Sequence, residues 1–392
     1  MTRATSVMND LQQIANEVAS DLRLTASQRD ASRALSADEV DRYAHSGLWA
    51  ITVPEAYGGP GLGHQAVARV TRIIAAADPS IAQIPRSHFH LIEVLKVVGT
   101  EAQKRFFFDQ ALANKKLMQA ASEIGTKTIS EIKTTLTQRD GKLYLNGKKF
   151  YATGCIHADW IAIVAKDELG FMVNAVVARD AAGVTVENDW AGFGQRVTAS
   201  GTVKLVDAQV DESMVFGYTE AFVENNVIGA GSQLIHAAID LGIACEALAD
   251  TKQYVRQHTR PWMDSGLERA TDDPLLIDQI ARLEVATAAA SAMLDQASAS
   301  MDQMPDRPDE QAVAEVSIAV GMAKVLADEA ALLATNKLFE LCGASSTREQ
   351  LNLNRHWRNA RTHTLHDPVR WKLQAIGDYF LNGKLPKRHN YI

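Results

Sequence analysis

The period of the hydrophobic pattern changes twice along the chain. Up to residue 115 apolar positions recur at helical spacing, and Val67, Val70, Ile73, Ile74 and Ala77 share one face of a predicted helix. Ser36-Ala-Asp-Glu39 and Thr100-Glu-Ala-Gln103 both fit the capping box, in which a hydroxyl and a carboxylate or carboxamide satisfy free amides at a helix start. Between residues 116 and 219 the pattern is that of short strands. Asp140-Gly141 and Asn146-Gly147 read as hairpin turns, and residues 143–146, 160–165, 171–178, 184–188 and 202–206 as strands. From residue 220 the helical period returns in Ala-rich runs over 227–255, 274–301 and 310–342, too long for surface helices and fitted to an antiparallel bundle. The expected domains are therefore 1–115, helical; 116–219, β; and 220–392, a helical bundle.

Composition narrows the class. A hydrophobic share of 46% and a charged share of 22% over 392 residues are those of a folded globular chain. A net charge of −7 argues against an extended nucleic-acid or anionic-membrane surface. Cys155, Cys245 and Cys342 are widely spaced and odd in number, which speaks against a disulfide framework or a thiolate metal site. No apolar leader or run of about 18 apolar residues is present, so a cytoplasmic location is expected.

Two stretches carry candidate chemistry. Gly61-Leu-Gly63-His-Gln-Ala66 matches a relaxed dinucleotide pattern, but Pro54 and Pro60 interrupt the strand that should precede it. Residues 354–368 are denser, with three Arg, three His and an Asp in fifteen positions. His363 and His366 are three apart, so in a helix they share a face near its last turn, and Pro368 ends or bends that helix. A His-x-x-His-Asp metal site lacks a supporting cluster at ligand spacing, and no metal is expected.

The order helical, β, helical resembles the acyl-CoA dehydrogenase superfamily along nearly the whole chain. The resemblance is carried by the segment from Gly47-Leu to Gly-Gly59, by Gly147-Lys-Lys-Phe-Tyr-Ala-Thr-Gly154 and by Arg355-His-Trp-Arg-Asn-Ala-Arg361. It implies an α+β acyl-CoA dehydrogenase fold, with an N-terminal helical domain, a middle β-barrel domain and a C-terminal four-helix bundle. Where the dehydrogenases carry a catalytic Glu within Tyr-Glu-Gly, this chain has His366-Asp367-Pro368. Asp367 is one methylene shorter and is followed by a rigid proline. An FAD-dependent acyl-CoA dehydrogenase using Asp367 is the alternative reading.

Trp-Arg-Asn-Ala-Arg-Thr-His-Thr-Leu-His-Asp-Pro instead resembles the flavin-dependent monooxygenase branch, of the dibenzothiophene monooxygenase and sulfur-acquisition type. Gly125-Thr-Lys-Thr128, the run from Asp189 to Gly201 and Arg260-Pro-Trp-Met-Asp-Ser-Gly266 extend that likeness. It implies reduced FMN supplied by a separate flavin reductase, and one oxygen atom transferred from a C4a-(hydro)peroxyflavin to a small organosulfur compound such as an alkyl sulfinate or sulfone. His366 is the expected catalytic proton donor, with His363 orienting flavin or substrate; the bland alternative is a buried network of both with Asp367 and Arg361. The resemblance assigns Gln119, Ser122, Tyr151, Thr153, Trp190 and Arg260 to the flavin, Arg260 through the phosphate of a neighbouring subunit in a homotetramer. Gln83 and Ser87 fall at substrate positions, and with Arg86 and His88 nearby they imply a small, polar substrate. His236 reads as a satisfied core histidine.

Overall fold

The computed structural model describes residues 3–305 and 307–392, with side chains from residue 7. Helices come first: α1 (Arg3–Ser32), α2 (Ala37–His45), α3 (His64–Ala77), α4 (Pro79–Gln83), α5 (Arg86–Val98) and α6 (Glu101–Leu112). The strands follow: β1 (Leu117–Ala120), β2 (Thr135–Arg139), β3 (Lys142–Ala152), β4 (Trp160–Lys166), β5 (Met172–Ala178), β6 (Val184–Glu187), β7 (Gly201–Val210) and β8 (Val215–Gly217). The chain then returns to helix in α7 (Ile228–His258), α8 (Pro274–Asp302), α9 (Glu310–Cys342), α10 (Asn354–His363) and α11 (Arg370–Asn382).

The three long helical runs and the five strands read from the pattern are all present, to within a few residues at each end, except that the first strand extends well beyond residues 143–146. The missed strands have physical reasons. β1 is buried at every position, so it shows no alternation, β2 has a single buried side chain, and β8 is only three residues long. The strands form one sheet in the order β6-β7-β3-β2-β4-β5-β8, with β1 pairing in parallel with β4.

Two local expectations are corrected. Asn146-Gly147 is not a hairpin turn but a bulge inside β3, where the register against β7 slips between Leu145 and Gly147. Gly147 has φ 154°, and a Cβ there would stand 2.4 Å from Thr134 Oγ1; Asn146 pairs across the bulge with Asp207. Thr100 and Gln103 do form the capping box, but Ser36 makes no side-chain cap, because Glu39 is drawn to Arg29 and Arg42 instead.

The core is shared between the three parts. One cluster of buried apolar side chains includes Leu22 of α1, Val70 of α3, Leu145 and Ile163 of the sheet, Leu234 of α7 and Leu338 of α9. A second joins Phe107 and Phe108 of α6 to Leu117, Val176 and Phe216 of the sheet. α7 is long and apolar enough to cross a membrane by length and composition, yet 94% of its apolar window is buried inside the protein. It is the central helix of the bundle.

The glycine-rich stretch before α3 also has a structural explanation. No strand leads into it, and a Cβ on Gly63 would meet Asp302 Oδ1 at 2.2 Å. Asp302, at the end of α8, accepts hydrogen bonds from the amides of His64 and Gln65. A carboxylate of the protein itself caps this helix start, where the dinucleotide pattern would have a phosphate.

Candidate active site

The two ends of α10 differ in how their polar groups are used. At its N-terminal end Arg355 and His356 converge on Asp250 of α7, at 3.0 and 2.7 Å. Arg358 grips Asp30 of α1 at 2.5 and 3.1 Å and the Phe193 carbonyl at 3.1 Å. Asn359 Oδ1 accepts from the backbone of Gln195 at 2.7 Å. Gly194 lies so close to the helix that a Cβ would stand 1.9 Å from the Arg358 carbonyl oxygen. These groups fasten the loop after β6 and helix α1 to the bundle.

α10 stops at His363, short of Pro368, so His366 lies beyond the helix, in a turn closed by its amide on the His363 carbonyl at 3.0 Å. The backbone ahead of a proline is pushed out of the helical region, which ends the helix earlier than the spacing suggests. The two imidazoles still meet, through a third. His236, on α7, has its ring 3.9 Å from that of His366 and 5.1 Å from that of His363.

A relay of hydrogen bonds runs inward from this cluster. His363 Nδ1 donates to Asp240 Oδ1 at 2.5 Å, and His363 Nε2 faces His236 Nδ1 at 3.1 Å. Asp240 Oδ2 accepts from Lys324 at 2.7 Å, and Lys324 also pairs with Asp328. Burial pushes the Asp240 carboxyl up, but His363 and Lys324 outweigh it and hold it well below the usual range. Asp328, buried and beside Asp240, is pushed up to about 8. Burial, with the charges of His366 and Arg86, holds His236 well below the ordinary imidazole value, so it rests neutral. Its Nε2 is buried without a partner among the described residues. His236 is therefore only half satisfied, contrary to its reading as a core histidine. The carboxylate that orients His363 is Asp240, not Asp367. The sequence signal for it is the four-residue spacing of Ser232, His236 and Asp240, which places them on one face of α7.

Asp367 is fully engaged. Oδ2 pairs with Lys372 of α11, and Oδ1 accepts from His366 Nδ1 at 3.2 Å. Burial raises this carboxyl, but His366 and Lys372 hold it far below the usual range. Burial in turn lowers His366, against its bond to Asp367. With Nδ1 committed, Nε2 is the atom of His366 left to exchange a proton. His366 and Tyr391 both line a cavity of about 560 Å³, together with Ile129, Trp371 and Leu385. The chain beyond α11 is held here by Gln233 on the Asn390 carbonyl at 2.7 Å and Lys372 on the Tyr391 carbonyl at 3.2 Å.

The expected flavin residues are distributed along β1, the end of β3 and the loop after β6. Tyr151 has φ 55°, is 56% exposed and meets Trp190 edge to face at 6.0 Å. Thr153 Oγ1 is 2.7 Å from Ser200 Oγ, which is 2.7 Å from Thr198 Oγ1. Gln195, absent from the sequence expectations, is buried with both side-chain polar atoms unpartnered among the described residues. An aromatic pair with Tyr151 exposed and Trp190 half-buried, a chain of hydroxyls and a carboxamide with a spare donor and acceptor suit a flavin ring, whose pyrimidine edge both donates and accepts. Gln119 is occupied, donating to Asn174 at 3.0 Å inside the β domain. Ser122 receives the Phe150 amide on its carbonyl, in a loop anchored by Glu123, whose carboxyl Lys149 and Thr134 hold down at about 2 despite burial. Arg260 lies exposed between α7 and α8 and makes no hydrogen bond or ion pair among the described residues.

On the side of α5, His88 is structural: Nε2 meets the Trp49 carbonyl at 3.1 Å and Nδ1 accepts the Leu117 amide at 3.2 Å. Ser87 is buried, and its hydroxyl meets Met118 Sδ at 3.6 Å. Gln83 Oε1 and Arg86 Nε are buried without partners among the described residues.

The fold and these segments place the chain in a known class. Residues 9–115 match the family model described as acyl-CoA dehydrogenase, N-terminal domain, and residues 234–371 match acyl-CoA dehydrogenase, C-terminal domain. The chain belongs to the acyl-CoA dehydrogenase superfamily, with relatives in its dibenzothiophene monooxygenase branch. It is 32% identical to dibenzothiophene monooxygenase of Rhodococcus qingshengii, over 96% of this chain and 94% of that one. The crystal structure of FMN-bound TdsC from Paenibacillus sp. A11-2 superposes with a TM-score of 0.92 at 28% identity, over 98% of this chain and 100% of that one. Methanesulfinate monooxygenase MsuC from Pseudomonas fluorescens does so with 0.90 at 29% identity, over 97% and 99%.

Proposed function

We propose that this chain is a two-component, FMNH2-dependent monooxygenase that adds one oxygen atom from O2 to a small organosulfur compound, an alkyl sulfinate or sulfone. The observation that carries the reading is the state of the segment where a dehydrogenase keeps its base. Both oxygens of Asp367 are held, by Lys372 and His366, so it is not poised to abstract a substrate proton. Beside it stand imidazoles held neutral by burial, one with an unpartnered nitrogen. That arrangement can move protons between the cavity, where His366 is partly exposed, and the buried His236.

Reduced FMN, when bound, supplies the electrons that activate O2, one oxygen atom going to the substrate and the other leaving as water. Tyr151, Trp190, Thr153, Ser122, Gln119 and Gln195 are the residues we assign to hold it, and Arg260 of a neighbouring subunit in a homotetramer its phosphate. The flavin is reduced by a separate reductase and arrives by diffusion.

The chain's own part is to move protons and exclude water. His366, its Nδ1–H held by Asp367, takes up a proton on Nε2, becoming an imidazolium that Asp367 stabilises. It then delivers that proton to the oxygen that departs, ending neutral as it began. Asp240 can only accept, so His363 always carries its hydrogen on Nδ1. When the hydrogen between His363 and His236 sits on His236 Nδ1, His236 Nε2 is an acceptor. Asp240 is thus a positioning residue that sets the polarity of His236 through His363.

The test supplies FMN, a flavin reductase and NADH with a panel of small sulfinates, sulfones and thioethers, and follows oxygen uptake and products by mass spectrometry. A panel that yields only hydrogen peroxide and no oxygenated sulfur product sinks the reading.

A further inference from the structure

Among the described residues, Arg86 makes no hydrogen bond and no ion pair, although its Nε is buried and burial pushes its guanidinium down from the ordinary value. Among the described residues, the buried Arg and Lys side chains are neutralised: Arg29 by Asp78, Lys149 by Glu123, Lys324 by Asp240, Arg358 by Asp30 and Lys372 by Asp367. Arg361, which like Arg86 is half-buried with an unpartnered Nε, at least donates to Thr364. A desolvated charge left alone is strongly unfavourable, so its persistence points to a missing counter-charge.

The surroundings of Arg86 show where that partner sits. Arg86 and His90 are four apart on α5, and His90 Nδ1 is bonded to Ser232 Oγ at 3.1 Å, one turn before His236 on α7. The facing sides of α5 and α7 thereby bring Arg86, His90 and His236 together, with Gln83 at the end of α4, three residues before Arg86. Each of these has a buried polar atom with no partner among the described residues. Buried unsatisfied atoms are scarce in folded proteins, and three on one α5–α7 face, with Gln83 in the adjoining turn, mark a ligand position. The charge of Arg86 reaches His236, His366, Tyr218 and Tyr391, which places them around it. Asp367 is near but already paired with Lys372. His90, lowered to about 3 by burial and by Arg86, stays neutral and adds no second charge.

We infer that Arg86 is the anion-recognising residue of the substrate site, binding a small singly charged oxyanion, of which a sulfinate is the form that the proposed chemistry oxidises. The guanidinium fork matches two oxygens on one atom, and that grip leaves the sulfur lone pair toward His236 and His366. This rests on the monooxygenase reading and narrows its substrate from organosulfur compounds in general to anionic ones.

The experiment compares methanesulfinate with a neutral thioether of similar size, in wild type, Arg86→Lys and Arg86→Gln, with methanesulfonate as an unreactive competitor. In Arg86→Gln the ratio of kcat/KM for sulfinate over thioether falls by about 10- to 100-fold, through KM, and Arg86→Lys recovers part of it. Methanesulfonate inhibits the wild type competitively against sulfinate. The inference is overturned if the ratio is preserved in Arg86→Gln, if FMNH2 affinity falls instead, which would give Arg86 to the flavin, or if methanesulfonate does not compete in the wild type. That last arm needs no variant to fold. A wild type that oxidises thioethers but not sulfinates refutes this inference and leaves the monooxygenase reading standing; one that oxidises neither refutes the reading itself.

Discussion

The two ends of α10 are built from the same residue types and put to opposite use. Near Asn354 every cation and imidazole has its carboxylate: Arg355 and His356 share Asp250, and Arg358 holds Asp30. Beyond Ala360 the pairing is incomplete. Arg361 Nε, Thr362 Oγ1 and the neighbouring His236 Nε2 are buried without partners among the described residues. A side chain whose capacity is exhausted within the protein can fasten helices but has nothing left for a ligand. Function therefore resides where hydrogen-bonding capacity is left over, and the density of charged residues alone does not reveal it.

The broadest way to stress both ends is acid. His356, His236 and His366 are held below the usual value of 6.5 chiefly by burial, and His88 and His90 are lowered to about 4 and about 3. As pH falls below 6.5 the unfolded chain takes up protons that the folded one refuses, so stability present above 6.5 is lost progressively toward pH 3. Urea titrations between pH 7.5 and 4 should show a falling unfolding free energy; a flat profile would mean these imidazoles are not buried neutral.

Single substitutions then separate the ends. His366→Ala should lower productive turnover by about 10²- to 10⁴-fold while oxygen uptake continues as peroxide. Thermal melting close to the wild type would keep that loss chemical, and undiminished product yield would remove His366 from the mechanism. Arg358→Ala should do the reverse at first hand, costing about 3–5 kcal/mol of stability by stranding buried Asp30. If instead the variant melts normally, the pairing at the first end is decorative and the contrast fails. The smallest effect is expected of Asn359→Ala, which leaves the Gln195 amide unpaired at about 1–3 kcal/mol, measured by chemical denaturation.

Much of the architecture was legible because burial leaves a period in the sequence. The apolar face of α3 and the lengths of α7, α8 and α9 followed from spacing, and the Thr100 capping box from two residues three apart. Ser36 misled, since a box needs its Glu free and Glu39 had Arg29 to answer. Asn146-Gly147 misled likewise, because the same dipeptide serves a tight turn or a bulge, and only the strand across from it decides. In the site, His363 and His366 were visible as a cluster, whereas Lys324 and Asp328 lie far away in sequence and carry no motif. Asp240 shows only a helical spacing with His236, and Gln195 sits unmarked within the run from Asp189 to Gly201.

The sequence by itself thus determined the order of helical and β segments, the family and the presence of imidazoles where a dehydrogenase keeps a carboxylate. Those depend on periodicity and on residues close together in the chain. Only the tertiary structure decided which groups are spent and which are spare, because a hydrogen-bond partner is defined by distance in space. Asp240 reaches His363 across 123 positions and Asp30 reaches Arg358 across 328. Among the described residues no carboxylate reaches Arg86, and that becomes visible only once its neighbours have been placed.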